Sequence, residues 1–301
     1  MNNKVYIQLY SILKTRQEDL LSALHDISKI GYDGVELMGT YTGGLTPRGL
    51  KGLLTTLKLD PISSHGLKDE KDFSFAAELG IRYTDVRTHF ETQTRDEVLR
   101  ACDQLNEDGK LRAKFGIKAV LHNHSQEFRW VSGEENKTRI YDLLLQNTDP
   151  ELVNFEFDVG WGAFAGVNPV DYILKYPGRF PLIHVKEVDR VARNDDELEH
   201  FPKDVIALGK PVIPLHPDAA TTGIERSISY FSAEQARIMY QSRKWNCRLG
   251  RGIIDWHGLK NACEAQGIQG YISEREYCGY DGGFDDPVMC AAHDYEFLRE
   301  L

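Results

Sequence analysis

The feature that most constrains this chain is a rhythm. Eight times over, a short β-type run is followed by a segment whose apolar residues recur at helical spacing. The runs are 5–10, 35–38, 61–64 (ending at His65), 83–88, 117–120, 153–158, 181–185 and 270–273. The intervening helical patterns cover 17–30, 48–58, 72–79, 95–115, 138–145, 169–176, 254–265 and 287–298. In the first of these, Leu20, Leu21, Leu24 and Ile27 share a face. Gly80 and Gly116 close helices, and Asn168 before Pro169 is a helix start. A strand that returns through a helix to the next strand is laid parallel to it. Eight such units predict a closed parallel (β/α)8 TIM barrel in one domain over 1–301, with a doubly wound open sheet as the competing arrangement.

One stretch breaks the rhythm. Residues 188–252 follow the seventh strand, carry dense charge at 190–199, and include Pro202, Pro211, Pro214 and Pro217, with a helical pattern at 232–241. A loop after a barrel strand emerges on the catalytic face, and one this long is functional or disordered. Its aromatic residues Tyr230, Phe231, Tyr240 and Trp245 suit packing on a sugar or on another chain. The insertion is therefore expected to cover the barrel mouth, or to form a contact with a second copy or a partner subunit.

Charge narrows the partners. Asp and Glu number 46 against 36 Lys and Arg, a formal net charge of −10 over 301 residues. That balance gives no general attraction to nucleic acid or anionic membranes. The five cysteines form no CxxC pair, so neither a disulfide framework nor a structural zinc site is expected. Met1 leads directly into a β-type run, and no apolar stretch of signal or membrane-spanning length follows, so cytoplasm is the expected address.

The strand ends carry the chemistry. Barrel active sites are built there, and the residues present are Glu36, His65, Arg87 and His89 in the first half. The fifth strand runs into Leu121-His122-Asn123-His124-Ser125-Gln126-Glu127-Phe128. Asp158, His184 with Lys186, and Glu274 with Glu276 follow at the sixth, seventh and eighth. Neutral imidazole and carboxylate are preferred ligands of zinc, manganese, iron and cobalt. Asp158 also fits an Asx-turn before Val159-Gly160-Trp161, and Trp161 reads as packing or as a sugar-stacking wall.

At these residues the chain resembles the xylose-isomerase-like barrels, the sugar (phosphate) isomerase/epimerase group. The resemblance rests on Gly31-Tyr32-Asp33-Gly34-Val35-Glu36-Leu37, His122-Asn123-His124 with Glu127-Phe128, and Phe157-Asp158-Val159-Gly160-Trp161. Gly166-Val167-Asn168-Pro169, Tyr176-Pro177-Gly178-Arg179, His184-Val185-Lys186-Glu187, Gly250-Arg251-Gly252-Ile253-Ile254-Asp255-Trp256 and Ser273-Glu274-Arg275-Glu276 extend it over most of the chain outside 188–249. It implies one divalent ion, manganese first and zinc, cobalt, iron or magnesium as alternatives. Asp158, His184 and Glu274 map onto three of its ligands. The fourth position is often Glu in such barrels, whereas here it is His122, with Glu127 as the alternative. Arg251 stands where relatives often carry an acidic residue.

The expected chemistry is removal of a proton beside a carbonyl, giving an enediolate stabilised by the metal. Returning the proton isomerises or epimerises a small sugar or keto-sugar. His124, Glu127 and Glu276 are the acid–base candidates, and Glu36, His65, Trp161 and Lys186 the substrate-binding ones. The alternative on the same site is a lyase, a dehydratase of a keto-inositol or a cleaving enzyme for keto-glycosides. Two further readings are a nuclease of the endonuclease IV type, disfavoured by the charge, and a sugar-binding module without activity, disfavoured by the ligand-rich strand ends.

Overall fold

The computed structural model describes residues 4–13, 19–135, 137–199, 201–209, 233–268, 270–275 and 286–301. Eight parallel strands close into a barrel: β1 (Lys4–Gln8), β2 (Gly34–Met38), β3 (Asp60–His65), β4 (Tyr83–Val86), β5 (Lys118–His122), β6 (Val153–Asp158), β7 (Leu182–Val185) and β8 (Gly270–Ser273). Each pairs with its neighbours in sequence, and β8 closes the ring on β1 through Tyr6↔Ile272 and Ile7↔Ser273. Helices follow the strands and pack outside. The expected boundaries hold to within a few residues, including β6, β8 and the helix Ala233–Ser242 inside the insertion. The short helices Val159–Phe164 and Lys203–Ala207 have no counterpart in the expected pattern.

Local chemistry sets the helix ends. Thr46, Asn168 and Asp286 accept backbone N–H bonds with their side chains, each directly before a proline at the first helical position. Gly34 has no room for a side chain, because a Cβ there would lie 2.0 Å from the Asp60 carbonyl oxygen across the β2–β3 pairing.

The barrel interior is layered. Tyr6, Ile62, Tyr83, Val120, Leu182 and Ile272 form a separate buried apolar cluster that floors it. Side chains two residues apart on a strand face the same way. The next inward positions after five of these residues are therefore Gln8, Asp85, His122, His184 and Glu274. Across a register shift between Val35 and Glu36, Ser63 lies beside Glu36. The floor is apolar and the layer above it is polar.

Described parts of the insertion pack on the loops after β5 and β6. Ser125 Oγ donates to the Leu198 carbonyl at 2.9 Å, and Ala192 N to that of Phe164 at 2.7 Å. Trp245 stacks on Phe164 with ring centroids 4.0 Å apart. The two ends of the excursion meet in a short antiparallel ladder, Glu187–Val188 with Asn246–Cys247. The buried Glu187 carboxylate joins them: it accepts from Val188 N, Gly250 N, Ile254 N and Trp256 Nε1. Among the described residues no helix is long and apolar enough to cross a membrane.

Candidate metal centre and active site

The sixth strand shows how sequence builds this site. Phe155 and Phe157 turn outward into an aromatic cluster with Tyr141, Tyr172 and Phe180. Their alternation turns Glu156 and Asp158 inward. Asp158 then does two things at once. Its Oδ1 caps the helix Val159–Phe164 by accepting from Trp161 N at 2.8 Å, and its Oδ2 faces the barrel axis. Asn123, just past β5, braces the same residue by bonding both its backbone N–H and its carbonyl. The Asx-turn and the site residue are the same aspartate.

Among the described residues, two groups of side chains bring ligand atoms within 4.8 Å of one another, and either could hold a metal ion. One is His122, Asp158, His184 and Glu274, the four residues expected as ligands from the sequence. The other is His65, His122, Glu156 and His184. The geometry thus gathers His122, and not Glu127, with the other three. His122 Nδ1, Glu156 Oε1, Asp158 Oδ2 and His184 Nε2 are buried here without a hydrogen bond, although Asp158 Oδ2 has the Lys186 ammonium at 3.3 Å and His184 Nε2 the Glu36 carboxylate at 2.9 Å. Unsatisfied buried groups are costly. Imidazole nitrogens and carboxylate oxygens clustered this way fit a borderline divalent cation.

Charge is concentrated around them. Lys186 Nζ lies 3.3 Å from both Asp158 Oδ2 and Glu274 Oε2, buried between the two carboxylates. His65 Nε2 is 2.7 Å from Glu156 Oε2 and 3.2 Å from Glu36 Oε2. Burial works against protonating His65 and His184, but the Glu36 and Glu156 carboxylates outweigh it and hold both imidazoles well above their usual range. Burial likewise opposes ionising Glu156, yet His184 and His65 hold it well below the ordinary carboxylate value. For Glu274 the burial effect is outweighed by Lys186 and His184.

The remaining expected residues are placed as follows. His124 is half-buried at the edge of the group, its ring 5.1 Å from His122 and 5.4 Å from Trp161. Glu127 is buried behind it and accepts the His124 backbone N–H at 2.8 Å. Burial raises its pKa, with that N–H working in the opposite direction. Trp161 is fully buried, with the Lys186 ammonium 4.9 Å and the Arg243 guanidinium 4.4 Å from its ring centre. Glu36 lies fully buried against Gln8, Ser63, His65 and His184, rather than at the mouth. Arg87 points to solvent and pairs with Asp85. Glu276, Tyr230 and Phe231 lie outside the described residues. Sequence reasoning passed over Glu156. Part of the signal was available, since Glu156 stands two residues before Asp158 and between the outward Phe155 and Phe157, but its partners come from other strands.

No family model matches the chain. An inosose dehydratase from Clostridium botulinum (strain Alaska E43 / Type E3) is 30% identical over 140 residues, 46% of this chain and 44% of that protein. The match thus spans less than half the length of that relative. A sugar phosphate isomerase/epimerase from Parabacteroides distasonis ATCC 8503 superposes with a TM-score of 0.69 at 21% identity, covering 99% of this chain and 94% of the other. The IOLI protein, solved with a binding zinc atom, superposes with a TM-score of 0.60 at 14% identity, covering 99% and 98%. The fold is that of the xylose isomerase-like TIM barrels, as the sequence resemblance implies.

Proposed function

We propose that this chain is a divalent-metal-dependent sugar isomerase or epimerase acting on a small sugar or keto-sugar. The observation that carries the reading is the convergence of four donors from four strand ends, His122, Asp158, His184 and Glu274, with the buried His122 Nδ1 making no hydrogen bond. These residues would hold the ion, with manganese as our choice. When bound, it would polarise the carbonyl and hydroxyl oxygens of a hydroxy-ketone and so acidify the C–H of the hydroxyl-bearing carbon beside the carbonyl.

The chain's own groups supply the rest. Lys186 brings a buried ammonium to the same place, where it can donate to an oxygen gaining negative charge. His124 has an imidazole at the edge of the group that can take a proton from carbon and return it. Glu127, whose carboxylate is bonded to the His124 backbone, fixes the loop that presents that ring. Glu276, outside the described residues, is the second acid–base candidate. The insertion 188–252, in this reading, covers the mouth of a single-domain barrel. Replacing 209–244 by a short Gly/Ser linker should raise KM with metal still bound, and wild-type kinetics would remove that role.

The partial match to an inosose dehydratase favours one second reading on the same residues. If the carbon next to the enolised centre bears a hydroxyl, the same proton removal expels water. One experiment separates the readings. Keto-sugars and a keto-inositol are incubated with the protein in deuterated water and followed by NMR. Metal-dependent C–H exchange with inversion or carbonyl migration marks the isomerase or epimerase, and exchange with loss of water marks the dehydratase. Full turnover by thoroughly chelated protein sinks both.

A further inference from the structure

A carboxylate buried in a barrel interior opposes folding unless its surroundings hold it. Glu36 is such a group: it is fully buried and belongs to neither group of ligand atoms. Its neighbours show how it is held. Gln8 on β1 and Ser63 on β3 stand in register with it on either side. Gln8 Nε2 donates to Glu36 Oε1 at 2.6 Å, and Ser63 Oγ donates to Oε2 at 2.5 Å. With both oxygens clamped from the flanking strands, the carboxylate is a fixed acceptor.

What it faces is His184. The Nε2 edge of that ring lies 2.9 Å from Glu36 Oε1 and 3.4 Å from Glu156 Oε2, off the line of an ideal hydrogen bond. The opposite edge, Nδ1, lies 3.3 Å from Oε2 of Glu274, a member of the four-residue group. An ionised carboxylate only accepts. Two of them at one ring nitrogen favour the tautomer with hydrogen on Nε2, which leaves the Nδ1 lone pair on the side of Glu274. A cation needs a nitrogen without hydrogen, and outer partners that set the tautomer tune its affinity.

We propose that Glu36 is a positioning residue: clamped by Gln8 and Ser63, it keeps His184 in the tautomer and orientation that present Nδ1 as the ligand atom. The proposal rests on the metal reading given above. It makes Glu36 neither a ligand nor a substrate contact, and it assigns Gln8 and Ser63 a share in metal affinity although neither reaches the ion.

The test uses Co2+ and Cd2+ as probes of the full-length protein. Glu36→Gln should weaken Co2+ binding about 10–100-fold and shift the visible bands of bound Co2+, which respond to ligand geometry. Ser63→Ala, which removes one clamp and leaves the carboxylate, should cause a smaller loss with a shift in the same sense. In 15N-labelled wild-type protein loaded with 113Cd2+, the His184 coupling should fall on Nδ1, with Nε2 protonated. A role in stability alone would lower the unfolding temperature and leave the Co2+ spectrum at saturation unchanged. That result, or cadmium coupling on Nε2, overturns the proposal. Should Glu36→Gln fail to fold, wild-type affinity and spectrum in Ser63→Ala do the same. Wild-type protein that takes up no Co2+ overturns the metal reading as well, so the two failures are told apart.

Discussion

The floor and the mouth of this barrel are built by the same strands, a few ångströms apart, to opposite rules. Tyr6, Ile62, Tyr83, Val120, Leu182 and Ile272 fill the floor with apolar volume. One step along the strands, the interior holds Gln8, Glu36, Glu156, Asp158 and His184, all buried and all polar. The floor stabilises through area removed from water. The mouth spends part of that stability, since every buried carboxylate there opposes folding until a partner offsets it. The difference teaches where to expect each kind of mutational damage: loss of fold below, and loss of chemistry above.

The largest effect should come from the mouth. Asp158→Asn keeps a side-chain oxygen to cap Trp161 N but removes the charge facing the axis. Divalent-metal affinity, measured by calorimetry, should fall by roughly 100-fold or more, with little change in unfolding temperature. If the fold is lost along with the metal, the two layers are not separable in this way. His124→Ala should lower kcat by ~10²–10⁴-fold, the usual scale of acid–base assistance, with metal content unchanged. An unaltered kcat would return His124 to a packing role beside His122 and Trp161.

On the floor, Leu182→Ala should cost about 2–5 kcal/mol of stability, read by denaturant unfolding, and leave metal affinity near the wild-type value. Leu182 is two residues from His184 on β7, so a large change in affinity would show that floor packing sets ligand geometry. The smallest effect concerns the neck of the insertion. Burial raises the Glu187 pKa, and the bonds from Trp256 and nearby backbone N–H groups work against the rise. A carboxyl whose folded value exceeds its unfolded one contributes stability that is fully present below the unfolded value. That contribution is lost as pH rises through the folded value. Unfolding titrations should show this decline setting in as pH rises through the ordinary glutamate range and levelling off above the folded value, and Glu187→Gln should remove it. A decline that persists in the variant would assign it to another group.

How much of this was legible in the sequence differs between the layers. The strand–helix rhythm and the strand-end positions of His122, Asp158, His184 and Glu274 were readable, because period-two alternation and βα order fix which residues share a rim. Depth was not. Glu36 and His65 read as rim residues, yet the register shift at Val35/Glu36 sets Ser63 against Glu36, and both residues are drawn into a buried network. Such a shift has no local sequence signal. Glu156 was passed over for a related reason: between two phenylalanines a glutamate looks like an isolated charge on a buried strand. Only the closed barrel shows three histidines around it.

Glu187 has one more consequence. A single carboxylate stitches Val188 to Gly250, Ile254 and Trp256, so the chain leaves the barrel and rejoins it at one place. The entropy of closing a loop grows only with the logarithm of its length, and here the closure is local to the stitch. The positions of β7 and β8 are thus joined through this stitch as well as through their own pairing. The excursion is tied to the barrel at a neck, and Glu187 is the knot in it.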